Sequence, residues 1–383
     1  MNQKAKDTIT TGLVYGSSFL TVAVLVLILG FIFINGIPNI SMHFLTSDYE
    51  NKTMYVNIPV TNDVNTVENP AASLGISVKL DEKNQVIIDK IESNSTVKEA
   101  VDMNGDKSKI KKGDIISKID AVDLEEVWKT GNKQQIFNIF SDSLNQAQNE
   151  VIRLKITRIG GGIIPMLVTT FYMIVLSLLV AAPIGILSAI YLNEYAKQGK
   201  LVTLIRFAIQ NLSGIPSIIY GLFGSIFFVQ ICRMSYSILA GALTIAIILL
   251  PVIISTTEEA LKAIPKGYRE SSLGLGATKL QTISKIILPN ALSGILVAVI
   301  LSVGRIVGES AALLLTAGTV ASIPTAFTGS KASGATLTIK AYTALKEQGN
   351  IGEACAIGVV LIILIIVLNF LSKMITNRYM ARE

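Results

Sequence analysis

Six stretches of this chain are apolar for long enough to cross a lipid bilayer: residues 10–34, 165–192, 207–231, 236–257, 290–317 and 352–372. About 20 residues of helix span the hydrocarbon layer, so each run is expected to be one membrane helix. The composition agrees. Of 383 residues 51% are hydrophobic and 16% charged, and mean hydropathy is +0.56, a balance that soluble domains seldom show. The first run follows a lysine-bearing segment as a secretory leader would. It is longer than a leader's apolar core and no small-residue cleavage pattern follows, so it is expected to be a retained anchor.

With the N-terminus inside, the inner segments 197–206, 262–285 and 373–382 gather lysine and arginine, whereas the outer turn 232–236 has Arg233 alone. That is the positive-inside bias. It accounts for the net charge of +6, and no basic run is interleaved with aromatic residues as nucleic-acid binding would favour. Nucleic acid is therefore excluded as a partner. Cys232 and Cys355 are the only cysteines and His43 the only histidine, so neither a disulfide framework nor a Cys/His metal cluster can be assembled.

Residues 47–159 break the apolar pattern and are long enough for one small domain, expected outside the membrane. SLGISVKL (73–80), QVIIDKI (85–91), DIISKID (114–120) and EVIRLKITRI (150–159) read as strands, and QQIFNIFSDSL (134–144) as a helix. This α+β segment resembles a PDZ domain. Leu74-Gly75-Ile76 resembles the carboxylate-binding loop, KKGDIISKID (111–120) the Gly-Asp turn and strand, and VIRLKITR (151–158) the closing strand. The resemblance implies backbone amides gathered on a peptide's C-terminal carboxylate, with the next strand pairing with that peptide. DMNGDKSK (102–109) departs from the family's small-residue turn. Peptide capture and a plain spacer or docking role both stay open.

Between the fourth and fifth runs lies ESSLGLGATKLQTISKIILP (270–289). It resembles the hallmark cytoplasmic loop of ATP-binding-cassette importer permeases: Glu-Ala-Ala, three residues, Gly, nine residues, Ile-x-Leu-Pro. Glu270-Ser271-Ser272, Gly276 and Ile286-Ile287-Leu288-Pro289 keep that spacing, with serines in place of the alanines. The resemblance implies a short helix that a separate ATPase contacts. Ser271, Ser272, Gly274, Gly276 and Ala277 would admit the partner closely, and Arg269 and Glu270 would pair with its charges. Pro265 and Pro289 punctuate the segment. The chain itself lacks a phosphate-gripping loop, since Gly199-Lys200-Leu201 has neither the first glycine nor the hydroxyl. An ordinary polar loop is the plain alternative.

FLT (44–46), GGIIPML (161–167), APIGILSAIYLNEYA (182–196), NLSGIPSIIYGLFG (211–224), LAGALTIAIILLP (239–251), EEALKAIPKGYRE (258–270) and GRIVGESAALLLTAG (304–318) together resemble the PstA-type permease of phosphate importers. The likeness runs over nearly all of the chain outside 47–159. It implies an all-α polytopic membrane protein of six transmembrane helices with the type I importer permease fold, interrupted by the PDZ-like α+β insert. The expected parts are an N-terminal segment and first helix (1–46), an extracytoplasmic insert (47–159) and a permease core (160–383) with the coupling loop 258–289. Implied partners are two copies of the ATPase, a second homologous permease, an extracytoplasmic phosphate-binding protein, inorganic phosphate and a peptide for the insert. No cofactor is implied. The implied location is a bacterial plasma membrane, with both termini cytoplasmic.

A charge at mid-bilayer costs about 2.5–3.5 kcal/mol even on the mild insertion scale, so ionisable residues inside the runs mark a pathway. Arg305 and Glu309 are four apart in the fifth run, and a helix would put them on one face to pair. The arginine's planar fork suits phosphate oxygens, and Glu309 would neutralise it while the path is empty. A buried pair that fixes packing is the alternative. In NLSGIPS (211–217), Gly214 and Pro216 interrupt the third run; broken helices are tolerated where they line a cavity or are covered by protein. Asn211, Ser213 and Ser217 then join the pathway candidates, against a kink whose hydroxyls bond their own backbone. An intramembrane protease is excluded, because His-Glu-x-x-His is absent and His43 cannot serve a serine in the spans. A membrane sensor that transports nothing is the other reading, and the coupling-loop spacing speaks against it.

Overall fold

The computed structural model describes residues 3–61, 63, 65–81, 84–103, 105–130, 132–146, 151–329 and 331–380. The basic residue at 382 and the first residue of the expected strand 150–159 lie outside the described residues. The chain divides into two compact units, Met1–Ser47 with Ile163–Glu383, and Asp48–Gly162. The first begins with α1 (Gln3–Gly36) and α2 (Met42–Thr46); Ser41 caps α2 by accepting the Phe44 amide at 3.0 Å.

The unit Asp48–Gly162 contains β1 (Lys52–Pro59), β2 (Ile76–Leu80), β3 (Val86–Ile91), β4 (Val101–Asp102), β5 (Ile115–Ile119), β6 (Val122–Asp123), α3 (Leu124–Thr130), α4 (Lys133–Gln146) and β7 (Val151–Arg158). The strands form one antiparallel sheet in the order β2-β3-β5-β7-β1-β4, with β6 beside β5. Its longest ladder runs from Lys52 opposite Arg158 to Pro59 opposite Val151. Because strand side chains alternate between faces, Val56 and Ile58 on β1 and Ile152, Leu154 and Ile156 on β7 reach the core together. Ile136, Phe140 and Leu144, spaced four apart on α4, cover that core. β1 was not anticipated. Its apolar residues Met54, Val56 and Ile58 alternate in a polar stretch, and its partner β7 lies far along the chain.

One buried carboxylate ties the ends of two adjoining inner strands, β5 and β7. Asp114, its side chain 2% exposed, accepts from Arg158 Nε and Nη2, both at 2.8 Å, and from the Lys111 amide at 2.8 Å. Arg158 also donates to the Lys109 carbonyl at 2.7 Å. The hydrogen bond to Asp114 holds the Arg158 guanidinium above its ordinary pKa. The Gly161 and Gly162 amides donate back to the carbonyls of Tyr49 and Asp48 at 2.8 and 3.0 Å, which carries the unit past Ile159 to Gly162.

The membrane unit resumes with α5 (Ile164–Ile190), which ends in a π-helical turn, Tyr191–Tyr195. Next come α6 (Lys200–Ser213), α7 (Ser217–Gly224) with a π-helical continuation Ser225–Ile231, and α8 (Ile238–Lys262). α9 (Lys266–Gly274) and α10 (Lys279–Thr282) lead through a third π turn, Ile283–Ile287, into α11 (Leu288–Gly308), followed by α12 (Ala311–Leu314), α13 (Leu337–Lys346) and α14 (Ile351–Met380). Among the described residues five helices are long and apolar enough to cross a membrane: Thr11–Asn39, Ile164–Tyr195, Ile238–Lys262, Lys279–Gly308 and Ile351–Met374. A sixth exists only if Lys200–Ser213 and Ser217–Ile231, bent by 99°, count as one broken span.

Two expected spans therefore change. The run 207–231 is not one helix, because Gly214-Ile215-Pro216 breaks it and Pro216 has no amide to continue the ladder. The run 290–317 stops at Gly308, after which Glu309 is extended (φ −79°, ψ 124°). Helix α13 was missed because its apolar stretch is too short to read as a span. α8 is the enclosed member, with 67% of its most apolar window buried, and α5 and α11 pack along it.

Replacing Asp114 by Asn leaves Arg158 without its buried counter-charge. The unit 48–162 is expected to lose about 3 kcal/mol, seen as faster proteolysis within that unit of the full-length protein.

Candidate functional site

The stretch 266–289 folds as a compact elbow. Pro265 precedes α9, Gly276 turns the chain with φ +84°, and Thr278 opens α10 with a capping box, its hydroxyl accepting the Gln281 amide while the Gln281 side chain accepts the Thr278 amide. A buried hydroxyl contact, Ser272 Oγ to Thr282 Oγ1 at 2.8 Å, ties α9 to α10. The other face is open. Glu270, Ser271, Leu273, Gly274 and Gly276 are exposed, and Leu275 is 89% exposed. Nothing lies within 4 Å of where a Cβ would stand on Gly274 or Gly276.

Of the residues expected to face a partner, Glu270, Ser271, Gly274 and Gly276 lie on this open face and Ala277 is half-buried. Ser272 and Arg269 turn inward. Arg269 Nη2 and Nε donate to Glu194 Oε1 at 2.7 and 3.1 Å, and its Nη1 and Nη2 donate to the carbonyls of Ile264 and Leu261 at 2.9 and 2.8 Å. With its fork engaged inside the chain, Arg269 braces the elbow from behind and does not present its charge to a partner. Glu194, 8% exposed, was missed as a site residue. Its only signal was a carboxylate at the end of a span.

The pathway candidates are arranged differently from their expectation. Arg305 stands in the last turn of α11; seventeen residues beyond Leu288, at about 1.5 Å each, put it roughly 26 Å along the helix. That is the far end and not the middle. Glu309 has left the helix: its Oε1 accepts the Ala312 amide at 3.2 Å at the start of α12, and its carbonyl accepts the Thr338 hydroxyl at 3.1 Å. Among the described residues no ion pair joins Arg305 to Glu309. The expected pair needed four helical residues in succession, and the helix ends at Gly308.

The half-buried Arg305 instead lies within electrostatic reach of the Tyr220 hydroxyl on α7, which donates to the Leu212 carbonyl across the Gly-Ile-Pro break at 2.7 Å. The Asn211 amide donates to the Phe207 carbonyl at 2.7 Å and the Ser213 hydroxyl to the Gln210 carbonyl at 2.8 Å. Both side chains thus bond their own helix. Ser217 opens α7 and is half-buried. A further charge in this unit was missed: Lys340 on α13, 3% exposed, reaches Glu353 and Gln348, each at 3.3 Å.

Residues 181–381 match the model of the family described as binding-protein-dependent transport system inner membrane component. The chain belongs to this family. It is accordingly a helical, multi-pass membrane permease component. It is 37% identical over 182 residues to a probable ABC transporter permease protein, YqgI, of Bacillus subtilis, covering 47% of this chain and 62% of that one. It is 39% identical over 158 residues to the phosphate transport system permease protein PstA of Pasteurella multocida, covering 41% and 56%. To PstA 1 of Mycobacterium tuberculosis it is 33% identical over 209 residues, covering 54% and 67%. The matches thus span about three fifths of the length of these relatives.

In this permease component the loop Leu74-Gly75-Ile76 is already satisfied. The three amides donate to Ala71, Ala72 and Ala71 carbonyls at 3.1, 2.9 and 3.4 Å, and the Leu74 carbonyl accepts the Ser95 hydroxyl at 2.6 Å. Gly75 has φ +64°, and a Cβ there would come 2.8 Å from Ser95 Cα. The glycine is required by the turn itself.

Replacing Gly276 by Ala forces a side chain into a left-handed backbone at a cost of about 1 kcal/mol. Amide exchange across 271–277 is expected to rise about five-fold, with no change in 48–162.

Proposed function

We propose that this permease component is one of two transmembrane subunits of an ATP-driven importer of inorganic phosphate. It forms half of the translocation pathway and takes its power from two copies of a separate ATPase. A second homologous permease completes the pathway, and an extracytoplasmic phosphate-binding protein delivers the anion. The substrate reading is supported by relatives that carry the name phosphate transport system permease protein. The reading of the elbow is carried by one observation: a short helix braced from behind by Arg269 offers a face of small residues and a leucine 89% exposed. With Leu273 and Leu280 on the same segment 50% and 67% exposed, this apolar surface supports a contact that a partner covers, and Glu270, Ser271, Gly274 and Gly276 let the partner come close to the backbone.

In this reading the elbow and both termini are cytoplasmic and the unit 48–162 is outside, in a bacterial plasma membrane. Arg305 is the anion ligand. Its guanidinium enters no ion pair among the described residues, and a free planar fork next to the broken span suits phosphate oxygens. Glu309 shapes the turn beside it, and Asn211, Ser213 and Ser217 border the path at the break. No covalent step belongs to this chain; ATP is hydrolysed by the partner.

For the unit 48–162 we keep a PDZ-like reading. β2 ends the sheet order, so its outer edge can accept an added peptide strand. The occupied amides of Leu74, Gly75 and Ile76 favour strand addition over carboxylate capture.

Labelled phosphate uptake into vesicles bearing the assembled importer, with sulfate as competitor, tests the whole reading. Arg305→Gln is expected to reduce uptake to background while the subunits still co-purify; normal uptake by that variant contradicts the pathway role. Leu275→Asp is expected to release the ATPase, lowering its recovery with the permease by about ten-fold, since one buried interface leucine replaced by a charge costs more than about 1.4 kcal/mol.

A further inference from the structure

Two arginines from different helices bind the same π-helical turn. At Tyr191–Tyr195 the helix α5 loses its regular ladder, and the Ala196 amide reaches back to the Tyr191 carbonyl at 2.9 Å. On α9, Arg269 binds Glu194 in this turn and the Leu261 carbonyl near the end of α8. On α6, Arg206 binds the Leu192 carbonyl of the turn at 3.2 Å and Glu258 on α8 at 2.7 Å. The two carboxylates are each 8% exposed and the two arginines 21% and 25%. The Asn193 side chain adds a donor to Glu194 at 2.8 Å, and Lys279 of α10 stands 5.0 Å over the Tyr195 ring. The result is a closed ring: α9 to the turn, the turn to α6, α6 to α8, and α8 back to α9.

The elements in this ring differ in stiffness. α8 is a long enclosed helix, whereas the turn is π-helical, a form found frequently at functional sites, and α6 meets α7 at the bent Gly214-Ile215-Pro216 break, spanned by the Tyr220–Leu212 hydrogen bond. A push on α9 therefore moves the turn against α8, and Arg206 passes that movement to α6. Resting on the proposed coupling role of the elbow, we propose that Glu194, Arg269 and Arg206 are positioning residues that transmit displacement of α9 through the turn 191–195 to the broken span α6–α7. Arg269 and Arg206 act here as rigid forks. Each joins two different elements at once, which a single point charge does poorly.

Glu194→Gln is the decisive variant, because it removes the charge at the centre of the ring, and Glu194→Asp is its conservative control. Two readouts separate the junction from its use. Hydrogen exchange on the full-length protein in detergent needs no partner. Glu194→Gln is expected to speed exchange at least about five-fold, the low end of site-to-site coupling, in 266–274 and also in 200–206, while Glu194→Asp keeps most of the protection. Faster exchange confined to 191–195, with 200–206 unchanged, overturns the junction. In the assembled importer, phosphate moved per ATP hydrolysed is expected to fall at least about five-fold in Glu194→Gln and to recover in Glu194→Asp, with the complex still co-purifying. An unchanged ratio overturns the transmission role. A wild-type assembly that moves no phosphate refutes the importer reading instead, and the exchange result still decides whether the ring is a mechanical unit.

Discussion

A backbone surrounded by lipid has no water to bond, so its amides and carbonyls must find partners within their own helix or in protein packed against it. The architecture of the membrane unit follows from that constraint. Long uninterrupted helices occur where the sequence is uniformly apolar. Between them, irregular backbone includes the π-helical turns, the Gly-Ile-Pro break and the segment after Gly308, and at several of these places a polar side chain from elsewhere makes up the lost bonds. Tyr220 serves the Leu212 carbonyl across the break, Arg206 the Leu192 carbonyl at the turn, and Arg269 the carbonyls of Leu261 and Ile264 where α8 ends.

In the proposed coupling, the arginines that repair the backbone are also the ones that would transmit motion. A charge buried beside a helix end is costly unless it is paired and hydrogen-bonded. Glu194 and Glu258 are paired with arginines that leave few donors idle, so the turn after α5 is held with α6, α8 and α9 in one arrangement. The open face of α9 carries none of that burden. It displays Leu275 and bare glycine backbone, which suits a surface made and broken in a cycle better than a ring of buried charge would.

Much of this was legible from residues alone, where the signal is local. Hydropathy located five of the spans, and runs rich in valine and isoleucine marked β2, β3, β5 and β7; helix spacing found α4. The errors have a common origin in tertiary context. Arg305 and Glu309 pair on paper only if the helix continues past Gly308, and the extended backbone at Glu309 takes its carboxylate to α12. Arg269 looked free for a partner because its counter-charge, Glu194, is 75 residues earlier. β1 stayed hidden because a polar, alternating stretch becomes a strand only beside β7. The apolar run at 207–231 hid a 99° bend, although Gly214 and Pro216 had marked where it falls.

The central claim is that the arginine-braced elbow faces the ATP-bearing side of the membrane while the sheet unit faces the other. Single cysteines at Leu275 and at Asn94, in a background with Cys232 and Cys355 replaced by serine, report this through labelling of intact cells with a membrane-impermeant thiol reagent. The account predicts that the position 94 cysteine labels in intact cells and the position 275 cysteine only after the membrane is opened. Labelling of the position 275 cysteine in intact cells, or of both from the same side, would contradict it.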